Sequence, residues 1–591
     1  MKRFGKRCAA LLLAAALAIP LVRPVRASWA LGSELAERTV ELGPGTALTS
    51  QSLWSASQGD LRTEHYVTYS PNATMKPVVF SGTYVASTNT VESAAAQMEE
   101  QGWRVAAAIN GGFFNNDGTI VGMLMTDGIL RALDVDNYTL LGFTGDGRVF
   151  IDESKPSLTV SWTGIETIPA AQPDEGSGTG QEDGFWSEEG PGAEPEIRTV
   201  SHTFPISGFN AYRNANFLSG LYLYNKDFSS RVTSGGPGVS AILRPLGEDG
   251  LRLNATLVFE VVSVTDTTQE GVVFDGVVPE GCYMLYAEDR WNPELLAALR
   301  GLSVGGQITL EASGTGEVWA DAVYGLSGRY TLLRDAQIVD GLPTTANPYT
   351  AVGVKEDGSA VFYTIDGRQS GWSIGASYSQ VAQRLQELGC VSAVALDGGG
   401  STTLGATLPG SGGFSLVNRP STDARKINNT IMLVSQAGEA IFEPGAYVSA
   451  SHRVVLAGAE LPVSAVAYDS WGQPVDGQYL TWAASGGAVS GEEEPVYVAG
   501  TVPGSYAISA SEGGGAMSIQ VVDELSDLTV SREDDGSKVT ALAVEPGDQV
   551  DLSVSGIWWN LPVAMDDGDA VWTADPAIGT IDEEGLFTAG P

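Results

Sequence analysis

Asp397 ends the apolar run Ala393-Val-Ala-Leu396 and is followed by Gly398, Gly399, Gly400, Ser401, Thr402 and Thr403. Three consecutive glycines lose more backbone entropy on folding than a packing need would justify. What they allow is close approach: bare main chain comes up to a ligand and aims its N–H groups at it. A carboxylate at a strand end beside such a loop points to a polar-ligand site. The plain alternative is a glycine-rich hairpin with a capping Asp. Asp366 stands in a similar setting, since Ala360-Val-Phe-Tyr-Thr-Ile365 reads as a strand and Asp366-Gly-Arg368-Gln369 follows it.

Between these two carboxylates the spacing predicts a helix over Ser377–Leu388. Ser377 and Gln380 have capping-box spacing, Val381, Leu385 and Leu388 share one face, and Gly389 fits the residue just past a helix end. A strand–loop–helix–strand order favours parallel strands with a right-handed crossover. It brings Asp366, Asp397 and Arg368 to one sheet edge, where open sheets bind ligands. A second stretch has the same grammar: a helix over Val91–Gln101, Gly102 as its stop, a strand over Arg104–Ile109, then Asn110-Gly111-Gly112-Phe113-Phe114. Gly102 to Asn110 repeats the spacing of Gly389 to Asp397, which makes Asn110 a candidate for the same site.

The 591 residues suffice for three or four domains at roughly 150 residues each. Residues 1–27 read as a secretory signal, with Lys2, Arg3, Lys6 and Arg7 before the apolar run Cys8–Val22. Its removal takes away six basic and no acidic residues, which carries the formal charge from −39 to −45. Such a chain repels nucleic acid and anionic membranes. No later segment is long and apolar enough to span a membrane. A secreted or extracellular location follows as the expectation, with cell-envelope association open. Cys282 and Cys390 can pair in an oxidising compartment or stay free; the sequence does not decide. His65, His202 and His452 sit in no motif. No cofactor and no metal site is expected; the acidic surface could hold Ca²⁺, but no EF-hand or other dense carboxylate loop supports it. Ser401 lacks the elbow pattern of a hydrolase nucleophile, and no Lys follows the glycines as in a phosphate-binding ATPase loop.

Along the chain, residues 171–196 break the pattern, with eight acidic and no basic residues between Asp174 and Glu196; they read as a flexible insertion. Many strands and few helices over residues 28–439 argue an α+β domain with a mixed sheet. From about residue 440 short strands alternate with Gly-Pro turns. Residues 440–522 and 523–591 are read as two β-sandwiches, the latter resembling bacterial Ig-like domains.

Four blocks in order, Asn110-Gly-Gly-Phe-Phe114, Asp366-Gly-Arg-Gln369, Leu396-Asp-Gly-Gly-Gly-Ser-Thr-Thr403 and Asn418-Arg419-Pro-Ser421, resemble the phosphodiester glycosidase family over roughly residues 60–436. The resemblance implies hydrolysis of a sugar-1-phosphodiester to a free sugar and a phosphomonoester, on an extracellular or envelope glycan. Asp397 and then Asp366 are the implied catalytic carboxylates, which must stabilise an oxocarbenium-like state, attack it or activate water. The phosphodiester's charge calls for cationic donors. Arg368, Arg419 and Arg425 are candidates, with Asn110, Gly111, Gly398, Gly399, Gly400, Ser401, Thr402 and Asn418 completing the substrate-binding set. The family pattern usually has arginine where this chain has Tyr349, and often asparagine where it has Ala395. The missing cation keeps a second reading in play: a non-catalytic glycan-binding or wall-associated protein on the same fold.

Overall fold

The computed structural model describes residues 28–591, apart from 135–137, 169–195, 212–219, 230–236, 248–249, 273–275, 289–291, 477–479 and 511–514. The signal over 1–27 lies outside the described residues, as does the acidic stretch 171–196 except for its last residue. The expected α+β domain narrows to a mainly β fold. Among the described residues there are three α-helices, α1 (Val91–Glu100), α2 (Pro293–Arg300) and α3 (Tyr378–Glu387), of 10, 8 and 10 residues. Closely spaced turns join antiparallel neighbours directly and need no crossover helix.

Two sheets build the site. One has nine antiparallel strands, with Asp60–Tyr69, Ala360–Ile365, Tyr349–Val354, Ser392–Ala395 and Tyr330–Arg334 adjacent in that order. Ala360–Ile365 and Ser392–Ala395 therefore point the same way, with Tyr349–Val354 running against both of them. Asp366 and Asp397 do share one edge, but their strands are not neighbours. The other sheet has five strands, with Leu404–Ala406, Trp103–Asn110 and Asn429–Gln436 at its centre. Val67, Val352, Phe362 and Val394 of the first sheet pack with Ile109, Leu404 and Ile431 of the second in one core.

The helices form where the sequence signals them. Ser377 caps α3 by accepting from the Gln380 amide at 3.3 Å, and the Gln380 side chain accepts from the Ser377 amide at 3.1 Å. Such caps contribute about 1 kcal/mol. Gly389, at φ +88°, and Gly102, at φ +90°, end α3 and α1 turns in a conformation that suits glycine. Val381, Ala382 and Leu385 bury α3 against the nine-stranded sheet. Arg384 goes inward too and meets Glu64 Oε1 at 2.7 Å, with both side chains almost wholly buried.

A third sheet has twelve strands. Glu196–Phe209 pairs in parallel with Leu221–Asn225, which closes seven of the strands into a barrel. Val160, Phe209, Leu243, Phe259 and Leu285 belong to its core, and Leu295, Leu296 and Leu299 of α2 pack into the same cluster. Cys282 and Cys390 are both buried and free.

Beyond residue 440, the sheet containing Gly445–Ala450 and Glu460–Tyr468 packs on Gly504–Ser509 and Met517–Val522 around Leu461, Tyr497, Ile508 and Ile519. The last unit is continuous with this one: Val454–Leu456 pairs in parallel with Leu561–Ala564. Leu35 and Leu61 of the nine-stranded sheet share a core with Val454, Val522, Trp558, Leu561 and Val563.

Candidate active site

The two helix–glycine–strand units meet tip to tip. The strand Trp103–Asn110 arrives from the five-stranded sheet and Ser392–Ala395 from the nine-stranded one. The Asp397 amide donates to the Gly111 carbonyl at 3.1 Å, and Asn110 Nδ2 donates to the Asp397 carbonyl at 2.7 Å. Asn110 Oδ1 accepts from Thr350 Oγ1 at 2.6 Å and from the Thr403 amide at 3.1 Å. Asn110 is fully buried, so its amide brackets both ends of the glycine loop instead of facing open space. Gly111 has no room for a side chain, because a Cβ there would fall 1.9 Å from Asn429 Oδ1.

Each glycine of the loop has its own steric reason. A Cβ on Gly398 would come within 2.9 Å of the Tyr349 ring. Gly399 has φ +65° and would come within 3.2 Å of Arg368 Nη2. Gly400 would come within 3.0 Å of Thr422 Oγ1 and 3.6 Å of Arg425 Nη1. Arg368 and Arg425 thus lie along the bare side of this loop. The Gly399 amide is spent on the Pro348 carbonyl at 2.9 Å, so the loop is held by the protein as well as open to a ligand. The Thr402 hydroxyl is buried with no hydrogen-bond partner among the described residues, and the buried Ser401 hydroxyl faces the Asp397 carboxyl. Buried polar groups are usually paired, so an unpaired hydroxyl in the loop that follows Asp397 marks a place where chemistry competes with stability.

The two carboxylates differ. Asp366 is 1% exposed. Its Oδ1 accepts from Asn418 Nδ2 at 2.8 Å, and its Oδ2 accepts from Trp372 Nε1 at 2.8 Å and the Arg419 amide at 2.9 Å. His65 Nε2 lies 3.8 Å from the same oxygen. Asn418 is likewise consumed, since its Oδ1 accepts from the Leu404 amide at 2.7 Å. Asp397 is only partly covered. Burial pushes its carboxyl above the ordinary carboxylate range, against the opposing pull of the Ser401 hydroxyl, the Arg425 guanidinium and the Gly398 amide. A raised carboxyl beside a cation in a partly open site is the pattern of a working group.

The Arg419 side chain is exposed, and its guanidinium lies 5.8 Å from the Trp372 ring centre. Arg368, with φ +62°, donates from Nε to Asn347 Oδ1 at 3.0 Å. Arg425 lies 5.7 Å from the Phe114 ring centre. Sequence reasoning missed Arg329, whose amide donates to the Ala395 carbonyl at 2.9 Å and whose guanidinium lies 5.5 Å from the rings of Phe113 and Tyr330. Arg329 and Asp397 both act electrostatically on the Tyr378 hydroxyl, which burial pushes well above the ordinary phenol range. Tyr378 stacks on Tyr349 at 3.9 Å and lies 5.0 Å from Tyr330. No ion pair engages Arg329, Arg368, Arg419 or Arg425 among the described residues. In so acidic a chain, arginines outside such pairs are available to an external anion.

A mainly β fold carrying a carboxylate, a glycine loop and an arginine rim defines a polar-ligand site suited to an anionic substrate. Residues 255–434 match the family model for phosphodiester glycosidase. That span includes Arg329, Asp366, Arg368, Asp397 and Arg425, whereas Asn110 joins the site from outside it. Among solved structures, a hypothetical protein from Synechocystis is similar at 18% identity and TM-score 0.48, over 68% of this chain and 64% of that one. A Burkholderia pseudomallei protein described as exported is similar at 17% identity and TM-score 0.44, over 70% and 98%. The zebrafish N-acetylglucosamine-1-phosphodiester alpha-N-acetylglucosaminidase catalytic domain, auto-inhibited by its pro-peptide, is similar at 14% identity and TM-score 0.30, over 68% and 88%. The comparison with curated proteins gave no match.

Proposed function

We propose that this protein is a secreted glycosidase that hydrolyses the sugar–phosphate bond of sugar-1-phosphodiesters in extracellular or envelope glycans. The observation that carries this reading is the Asp397 carboxyl, raised by burial and set beside Arg425 at the glycine loop. Arg368, Arg425 and Arg329 grip the phosphodiester oxygens, and Arg419 guards the rim. The anomeric carbon–oxygen bond to phosphate breaks and the phosphomonoester departs. Asp397 faces the developing oxocarbenium charge, as nucleophile or as base for water. The Ser401 and Thr402 hydroxyls bond substrate oxygens. Asp366, Asn418 and Asn110 hold the loops in register, so Asp366 positions rather than reacts. In this reading the C-terminal units are Ig-like modules that keep the enzyme near its polymer.

A non-catalytic glycan-binding role is the second reading. What favours it is Tyr349, which stacks on Tyr378 and packs against Gly398 where the family pattern has a cation. Sugar release by the purified chain from a panel of sugar-1-phosphodiesters decides between them, with Asp397→Asn as control. Release by wild type and not by the variant supports the enzyme. Glycan binding without release, from folded protein, supports the binding module.

A further inference from the structure

The hairpin that joins Gln549–Trp558 to Leu561–Ala564 turns through Trp559 and Asn560, at φ +49° and +64°. A two-residue turn with both central φ values positive is the usual territory of Asn-Gly. A bulky aromatic residue in that conformation is an outlier, and such strain persists where surrounding contacts over-determine it. The contacts here reach the other end of the chain. Trp559 packs on Trp54 with ring centres 5.0 Å apart, and Asn560 Nδ2 donates to Asp60 Oδ1 at 3.1 Å.

Asp60 is the junction. Its Oδ1 also accepts from the Leu61 amide at 2.7 Å and the Gly371 amide at 3.0 Å, and its Oδ2 accepts from Ser370 Oγ at 2.8 Å. Gly371 and Ser370 belong to the loop 366–375, whose Trp372 donates to Asp366 and whose Arg368 lies against the glycine loop. The loop leans on the same strand elsewhere: Thr63 Oγ1 donates to the Trp372 carbonyl at 2.8 Å and Arg62 Nε to the Gly375 carbonyl at 2.9 Å.

We infer that the C-terminal β unit is a working part of the active site: Asn560, acting through Asp60, sets the position of the loop that carries Arg368 and Trp372. This rests on the functional reading above only for its catalytic consequence. Asn560 is a positioning residue, and Trp559 is the wedge that keeps the turn seated.

Two full-length variants test this. Asn560→Gly keeps a turn-compatible residue and removes the amide. The double change Trp559→Asn with Asn560→Gly installs the favoured turn pair and removes both contacts. Amide hydrogen exchange over residues 369–373 is expected to quicken about tenfold in each, since a hydrogen bond to a charged group is lost, while exchange in Gln549–Trp558 stays slow. Turnover of a sugar-1-phosphodiester is expected to fall in kcat more than KM rises. Unchanged exchange over 369–373 in both variants overturns the inference. A wild-type chain that releases no sugar overturns the functional reading instead, and the exchange result still decides the coupling.

Discussion

The Asn110 side chain holds the main chain of Asp397: Asn110 Nδ2 donates to the Asp397 carbonyl at 2.7 Å, and the Asp397 amide donates to the carbonyl of the neighbouring Gly111 at 3.1 Å. The catalytic candidate is thus fixed from behind, by a residue on a different sheet, while its carboxyl stays partly open. Asn110→Ala deletes four side-chain bonds inside a sealed interior. Its cost is expected at about 2–4 kcal/mol, from unpaired buried groups at roughly 1–3 kcal/mol each with partial relaxation. Urea unfolding measures it, and a loss below about 0.5 kcal/mol contradicts the bracket role.

Asp397→Asn should abolish turnover and stabilise the fold at neutral pH. The folded state holds the Asp397 carboxyl above its ordinary range, mainly through burial. A group whose folded pKa is raised binds its proton more tightly in the native state, so stability falls as pH rises from the ordinary carboxylate range through the folded value. Asparagine carries no such penalty. The melting temperatures of wild type and variant should converge near pH 3 and separate in favour of the variant toward pH 7. Equal melting temperatures across that range remove the burial argument for Asp397.

Arg384→Met tests the buried ion pair beneath the site. Arg384 Nε and Nη2 both reach Glu64, Nη2 also reaches Gln51 Oε1 at 2.8 Å, and Tyr363 Oη donates to Glu64 at 2.8 Å. Removing the cation strands a buried carboxylate, at about 3–5 kcal/mol. Replacing Glu64 with Gln and Arg384 with Met together should recover part of that loss. An additive double variant rules out direct coupling between the two residues.

Much of this site was legible in the sequence because its signals are local. Ser377, Gln380 and Gly389 announced α3 through cap chemistry. Asp366 and Asp397 share an edge as expected, since strand direction follows from strand–helix–strand order even with a third strand inserted. What stayed hidden depends on distant partners. Arg329 belongs to no motif and becomes a site residue only because its backbone pairs with Ala395. The barrel closes through a parallel pairing of Ile206 with Leu221, which no hairpin signal announces. Asp366 and Asn418 read as ligands from motif grammar, which does not foretell that their side chains bond to Trp372, to the Leu404 amide and to each other.

The arginine rim and the acid limb of the pH profile should be linked through Arg425. Arg425 is one of the groups that lower the Asp397 pKa against burial. Arg425→Gln removes that pull, so the folded pKa of Asp397 rises further. If Asp397 must be ionised to attack or to activate water, the acid limb of kcat/KM moves to higher pH in the variant. The plateau should also drop roughly 10²–10³-fold, because a cation aimed at the phosphodiester is gone. Arg368→Gln provides the comparison: it should lower the plateau and leave the limb in place, since Arg368 does not figure among the groups that set the Asp397 pKa. A limb that stays fixed in Arg425→Gln assigns the titrating group to some residue other than Asp397, whatever the loss of rate.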